Sequence, residues 1–78
     1  MSRIQATVND IFAACPELFG FSVGQLEGEL CLAEVETAPY AASDEIVREV
    51  AEALIALIDD EPEAAELLRG RTFARTLH

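Results

Sequence analysis

Two groups of acidic residues are the side chains of this sequence that could do acid–base or metal chemistry. They lie around a predicted hairpin and just after a long apolar segment, and comprise Glu27, Glu29, Glu34, Glu36 and then Asp59, Asp60, Glu61, Glu63. Paired carboxylates can transfer protons or hold a divalent cation. Neither group has calcium-loop spacing or an accompanying histidine, so a solvated strand edge and the start of a helix explain them better. We therefore expect no metal site and no cofactor.

The two cysteines, Cys15 and Cys31, have only His78 to join them. A structural zinc site needs four ligands, and no CxxC motif is present for thiol–disulfide exchange. A terminal histidine is also a poor base for a cysteine nucleophile. The chain has no lysine, which excludes a P-loop lysine and a Schiff base. We expect two buried thiols and a protein that is not an enzyme.

A basic and aromatic cluster near the end of the chain is the best candidate for binding a partner. It comprises Arg69, Arg71, Phe73 and Arg75. In one interpretation these residues dock a partner protein or an anionic group. In the other, the arginines neutralise a helix end and the chain's own acids, while Phe73 and Leu77 pack into the core.

The charge distribution limits the choice of partner. The net charge is −10; residues 1–68 carry all fifteen acids and two arginines, and residues 69–78 carry three arginines and no acid. The acidic body repels phosphate backbones and anionic lipid, so we expect no nucleic-acid partner and no membrane partner. The N-terminal sequence lacks the apolar core of a signal peptide, which predicts a cytoplasmic protein.

The spacing of the hydrophobic residues predicts the helices and strands that position these side chains. Spacings of three and four predict helices at about 3–14, 43–58 and 62–69, of which 43–58 is the longest and organises the rest. Alternation predicts a hairpin at about 19–36. We expect a single domain over 1–78. In the basic segment 70–78, Phe73 and Leu77 are spaced as on a helix, but Phe73, Arg75 and Leu77 also alternate as on a strand. We favour a short helical turn there.

The predicted fold is α+β, in the order α-β-β-α-α, with a two-stranded antiparallel hairpin packed on helices. Strict alternation would place Cys31, Ala33 and Val35 on one face of the second strand. The opposite face would then hold Leu30, Leu32, Glu34 and Glu36. A two-stranded sheet has two open edges, so one edge could pair with its copy in a homodimer and form four strands.

The function that these observations favour is non-catalytic. We expect a small acidic cytoplasmic interaction module or accessory subunit with a protein partner. Two alternatives stay open: a metal- or ligand-responsive regulator that uses the acidic groups, and an enzyme whose site forms only at a dimer interface.

Overall fold

The computed structural model describes residues 3–75 and has an α+β fold. The elements in chain order are α1 (Arg3–Ala14), β1 (Leu18–Leu26), β2 (Glu29–Thr37), α2 (Ser43–Asp60), α3 (Ala64–Leu68) and β3 (Thr72–Ala74). The predicted positions of the three helices and of the hairpin are thus confirmed to within two residues at each end.

The sheet has three strands, in the order β2-β1-β3, and all neighbours are antiparallel. The prediction of a two-stranded sheet is therefore wrong, and so is the short helical turn near the C-terminus. Gly70, at a φ of 76°, turns the chain after α3 so that β3 runs along the free edge of β1. Phe73 pairs with Phe21 there, and their ring centroids lie 5.2 Å apart. Leu77 and His78 lie outside the described residues.

The core forms between the helices and one face of the sheet. Its members come from every element except β2, and those with 2% exposure or less are Leu18, Phe21, Val50, Ala64, Leu57 and Leu68. Phe12 extends the aromatic row, because its ring centroid lies 5.8 Å from that of Phe21. The side chains of β2 that pack against the core are only partly buried.

The hairpin closes with a two-residue turn, and its second strand contains a bulge. Glu27 and Gly28 both have positive φ, at 53° and 84°, the combination of a type I′ turn. Further along, Ser22 pairs with Glu34 and Val23 with Leu32, which leaves Ala33 without a partner in β1. An extra residue on one strand reverses the alternation of faces beyond it.

The bulge changes which side chains of β2 reach the core. Leu30, Leu32 and Val35 all pack against it, whereas Cys31 is exposed. The predicted division of β2 into two strictly alternating faces is therefore wrong. The prediction of two buried thiols is wrong for Cys31 for the same reason, since this residue lies on the outer face opposite Gly24.

Because Phe73 is buried, β3 contributes to the hydrophobic core and should therefore contribute to stability. Replacing Phe73 with Ala should lower the free energy of unfolding by about 3 kcal/mol, because a buried aromatic ring is lost and a cavity remains. The adjacent exposed change Thr72→Ala should cost less than about 1 kcal/mol. Urea denaturation followed by circular dichroism measures both, and equal losses would contradict this account of β3.

Candidate protein-interaction surface

Three of the four basic and aromatic candidates are engaged within the chain. Phe73 is 6% exposed and packs against Phe21. Arg69 forms an exposed ion pair with Glu66, 3.1 Å from Nη2 to Oε1. Such a surface pair contributes a few tenths of a kcal/mol at most.

Arg75 serves as a cap for the C-terminal end of α1, although it lies sixty residues further along the chain. Its Nη2 donates to the carbonyl oxygens of Phe12 at 2.8 Å and of Cys15 at 2.7 Å, and its Nε donates to that of Leu18 at 2.9 Å. The guanidinium also lies 5.1 Å from the centre of the Phe12 ring. A cation here satisfies carbonyls that a helix end leaves unpaired and complements the helix dipole.

Arg71 is the candidate that keeps an exposed charge near this end of the chain. Its guanidinium lies 4.8 Å from the centre of the Phe73 ring, and the residue is exposed. Partner binding by the cluster stays a prediction. Its test must change Arg71 alone, because Arg75 holds three backbone carbonyls and its loss would disturb the fold.

The acidic candidates are divided between the hairpin and the end of α2. Glu27 lies in the hairpin turn, Glu29 directly follows the turn, and Glu34 follows the bulge. Asp60 and Glu61 both pair with Arg3 at the end of α2. Among residues 3–75, no group of three or more histidine, cysteine, aspartate or glutamate side chains is arranged to hold a metal ion.

The two cysteines have different environments. Cys15 is 7% exposed, and its burial, with a smaller contribution from the Glu49 carboxylate, raises the pKa of its thiol. A buried, protonated thiol is a weak nucleophile. Cys31 projects from the outer face of the sheet and is free to react.

An apolar groove lies between α2 and β2. Its walls are aliphatic side chains, principally Val23, Leu30, Leu32, Ile55, Ile58 and Leu68. Ile55, one of the lining residues, is 60% exposed. The volume is about 110 Å³, well below the roughly 300–1,000 Å³ of a pocket for a cofactor or drug-sized ligand. The groove therefore fits one or two protein side chains.

Beside this groove, β2 presents backbone groups that no other strand within residues 3–75 pairs. The N–H of Val23 donates to Arg71 O and its carbonyl accepts from Gly70 N, so both groups point away from β2. In an antiparallel ladder the partner of such a residue points away as well. The N–H and C=O of Leu32, and of Leu30 two residues earlier, therefore face the open edge.

We call the groove together with this open strand the β2-edge surface; it consists of Leu30, Leu32, Ile55, Ile58 and the free backbone edge of β2. Sequence reasoning predicted open hairpin edges but did not single out the edge of β2 or the groove beside it. The available signal was the width of the apolar stripe on α2. Ile46, Val50, Leu54 and Leu57 are buried, whereas Val47 and Ile55 remain 38% and 60% exposed.

Comparisons of this chain with models of protein families, with curated proteins and with solved structures found no match. Within residues 3–75, α2 is the longest helix, and neither it nor another helix combines the length and apolarity that a bilayer crossing requires.

The cap on α1 predicts a strong dependence of stability on Arg75. The Arg75→Met variant keeps much of the side-chain volume but removes three donors, so we expect a loss of about 1.5–3 kcal/mol in the free energy of unfolding. Arg69→Met removes one exposed ion pair and should cost less than about 1 kcal/mol. Urea denaturation compares them, and a loss for Arg75→Met no larger than for Arg69→Met would refute the cap.

The contrast between the cysteines predicts one fast thiol per chain. At low micromolar protein concentration, a thiol-reactive chromogenic reagent should modify Cys31 in the folded protein and Cys15 only after unfolding. The variant Cys31→Ser should lose the fast phase, and Cys15→Ser should keep it. Equal rates for both thiols in the folded protein would contradict the assigned faces of β2.

Proposed function

We propose that this protein is a non-catalytic interaction module, an adaptor or accessory subunit, that binds a protein partner through the β2-edge surface. The observation that carries the proposal is that one exposed and three half-buried aliphatic side chains lie beside strand backbone that no other strand of residues 3–75 pairs. Ile55 and the free groups of Leu30 and Leu32 border the same groove.

Each half of this surface has a reason to be covered. An open strand edge offers hydrogen-bonding groups to another strand, and proteins that keep such an edge free usually protect it. Exposed apolar groups gain about 25 cal/mol for each Å² removed from water. A partner that adds a strand to β2 and inserts side chains into the groove would use both contributions.

The acidic residues around this surface support the same proposal. Glu29 and Glu34 lie on β2, and Glu52 and Asp59 are exposed on α2. Charges beside an open strand edge keep the free protein from aggregating through that edge. The acidic clusters thus have a role beside the interface that requires no metal.

The other expectations from the sequence remain proposals. These are a homodimeric state, a cytoplasmic location and the exclusion of nucleic acid as a partner. The two alternative functions, a regulator that uses the acidic groups and an enzyme assembled at a dimer interface, also stay predictions. No arrangement found among residues 3–75 favours either of them over the interaction module.

The proposal predicts that a charge at Ile55 abolishes partner binding while the fold is kept. Ile55→Asp places a carboxylate in the apolar groove, and Ala56→Asp adds the same charge at an exposed neighbour outside the groove. In native pull-downs from cell lysate at low and moderate salt, wild type and Ala56→Asp should retain the same stoichiometric protein, and Ile55→Asp at least tenfold less. Circular dichroism checks the fold of each variant.

Undiminished capture by Ile55→Asp would exclude the groove as the binding surface. If wild type retains no stoichiometric protein and no second copy of the chain, the interaction module itself is the wrong function.

A further inference from the structure

We infer that the occupant of the β2-edge surface is a second copy of this chain, paired β2 to β2 in an antiparallel register with Cys31 at the two-fold axis. The inference rests on the proposed function, because it uses the same surface, and it adds the identity of the partner and the alignment of the strands. It would join the two sheets into one of six strands.

The backbone supplies the first argument. Leu30 and Leu32 direct their N–H and C=O groups to the open edge, whereas Cys31, between them, points its groups toward Gly24 in β1. With Cys31 on the axis, Leu30 of one copy lies opposite Leu32 of the other. Each of these two pairs exchanges two hydrogen bonds, so the two edge-facing donors and two edge-facing acceptors of each chain become paired.

Side-chain chemistry supplies the second argument. In this register leucine lies opposite leucine on the inner face, and Glu29 lies opposite Ala33 on the outer face. No glutamate lies directly opposite another, which would be destabilising. A register centred on Leu32 would instead place Leu30 opposite Glu34. In the Cys31-centred register, residues 29–33 of one copy thus lie opposite complementary residues of the same segment in the other copy.

The bulge limits the paired segment and makes this register distinct. Ala33 has no partner in β1, so the regular part of the β2 edge ends there. The turn at Glu27 and Gly28 ends it on the other side. A five-residue segment with leucines at its second and fourth positions is symmetric about its centre, as a two-fold strand pairing requires.

The groove supplies the third argument. A two-fold axis through an antiparallel strand pair is perpendicular to the sheet, so both copies of α2 lie on the same face. Leu30 and Leu32 of the two copies then meet on the inner face beside Ile55 and Ile58, which border the groove. Pairing of the strands therefore brings the half-buried leucines of the two copies together and removes apolar surface from water in the same step.

The charge of the chain predicts the direction of the salt effect. Two copies with a net charge of −10 each repel one another, and added salt screens that repulsion. Association of two copies should strengthen between low and moderate salt. Docking of a basic partner should weaken over the same range.

The experiment combines mass measurement with disulfide trapping. Light scattering over a concentration series should show a mass that rises toward twice the monomer value at high micromolar protein, and at lower concentration when salt is added. Treatment with diamide, which takes up two electrons and two protons per disulfide formed, should link Cys31 to Cys31, because non-hydrogen-bonded antiparallel partners have Cα atoms about 4.5 Å apart.

A shifted cysteine is the matched control. The double change Cys31→Ser with Ala33→Cys keeps one exposed thiol on the same outer face of β2. In the inferred register residue 33 is offset by four positions from its copy, about 13 Å along the strand. This variant should therefore form covalent dimer at least tenfold more slowly than wild type. Cys15→Ser should form it as fast as wild type.

Equal trapping at residues 31 and 33 would overturn the register. A mass that stays monomeric at high micromolar protein in moderate salt would overturn the second copy as occupant. If the monomeric protein nevertheless captures another protein in an Ile55-dependent manner, the inference fails while the proposed interaction module stands.

Discussion

The pairing of strand backbone groups is the constraint on which the rest of this structure depends. Buried or apolar surroundings make an unpaired N–H or C=O costly, so each strand edge needs a partner or water. The central strand β1 has partners on both sides, from β2 along its whole length and from β3 over Gly20, Phe21 and Ser22. Among residues 3–75, the nine residues of β2 have a partner strand on one side only, and that asymmetry identifies the candidate surface.

The C-terminal segment explains why the open edge is at β2 and not at β1. Gly70 reverses the chain after α3, Phe73 enters the aromatic row, and the backbone N–H of Arg75 donates to Phe19 O. The side chain of Arg75 then closes the end of α1. A cluster that looks like a basic docking site in the sequence thereby covers one side of the hairpin. The outer edge of β3 is only three residues long, and short edge strands are poor templates for pairing.

Local periodicity predicted the fold class and the helices, because amphipathic spacing reports directly which residues a helix buries. Periodicity could not predict contacts between residues that are far apart in the sequence. The three residues of β3 carry no period, and Phe73 and Leu77 fit a helix as well as a strand. The bulge at Ala33 also has no local signal, although it decides that Leu30, Leu32 and Val35 share a face. The groove of the β2-edge surface was missed for that reason, since it needs the face of β2 and the position of α2 together.

Concentration-dependent amide exchange tests the central claim, that the free edge of β2 pairs with a second copy, most directly. We expect the amide protons of Leu30 and Leu32 to exchange quickly at low micromolar protein and to become protected at high micromolar protein. The amide of Cys31, which faces β1, serves as an internal reference whose protection changes little. Exchange rates for Leu30 and Leu32 that stay the same over the whole concentration range would contradict the account.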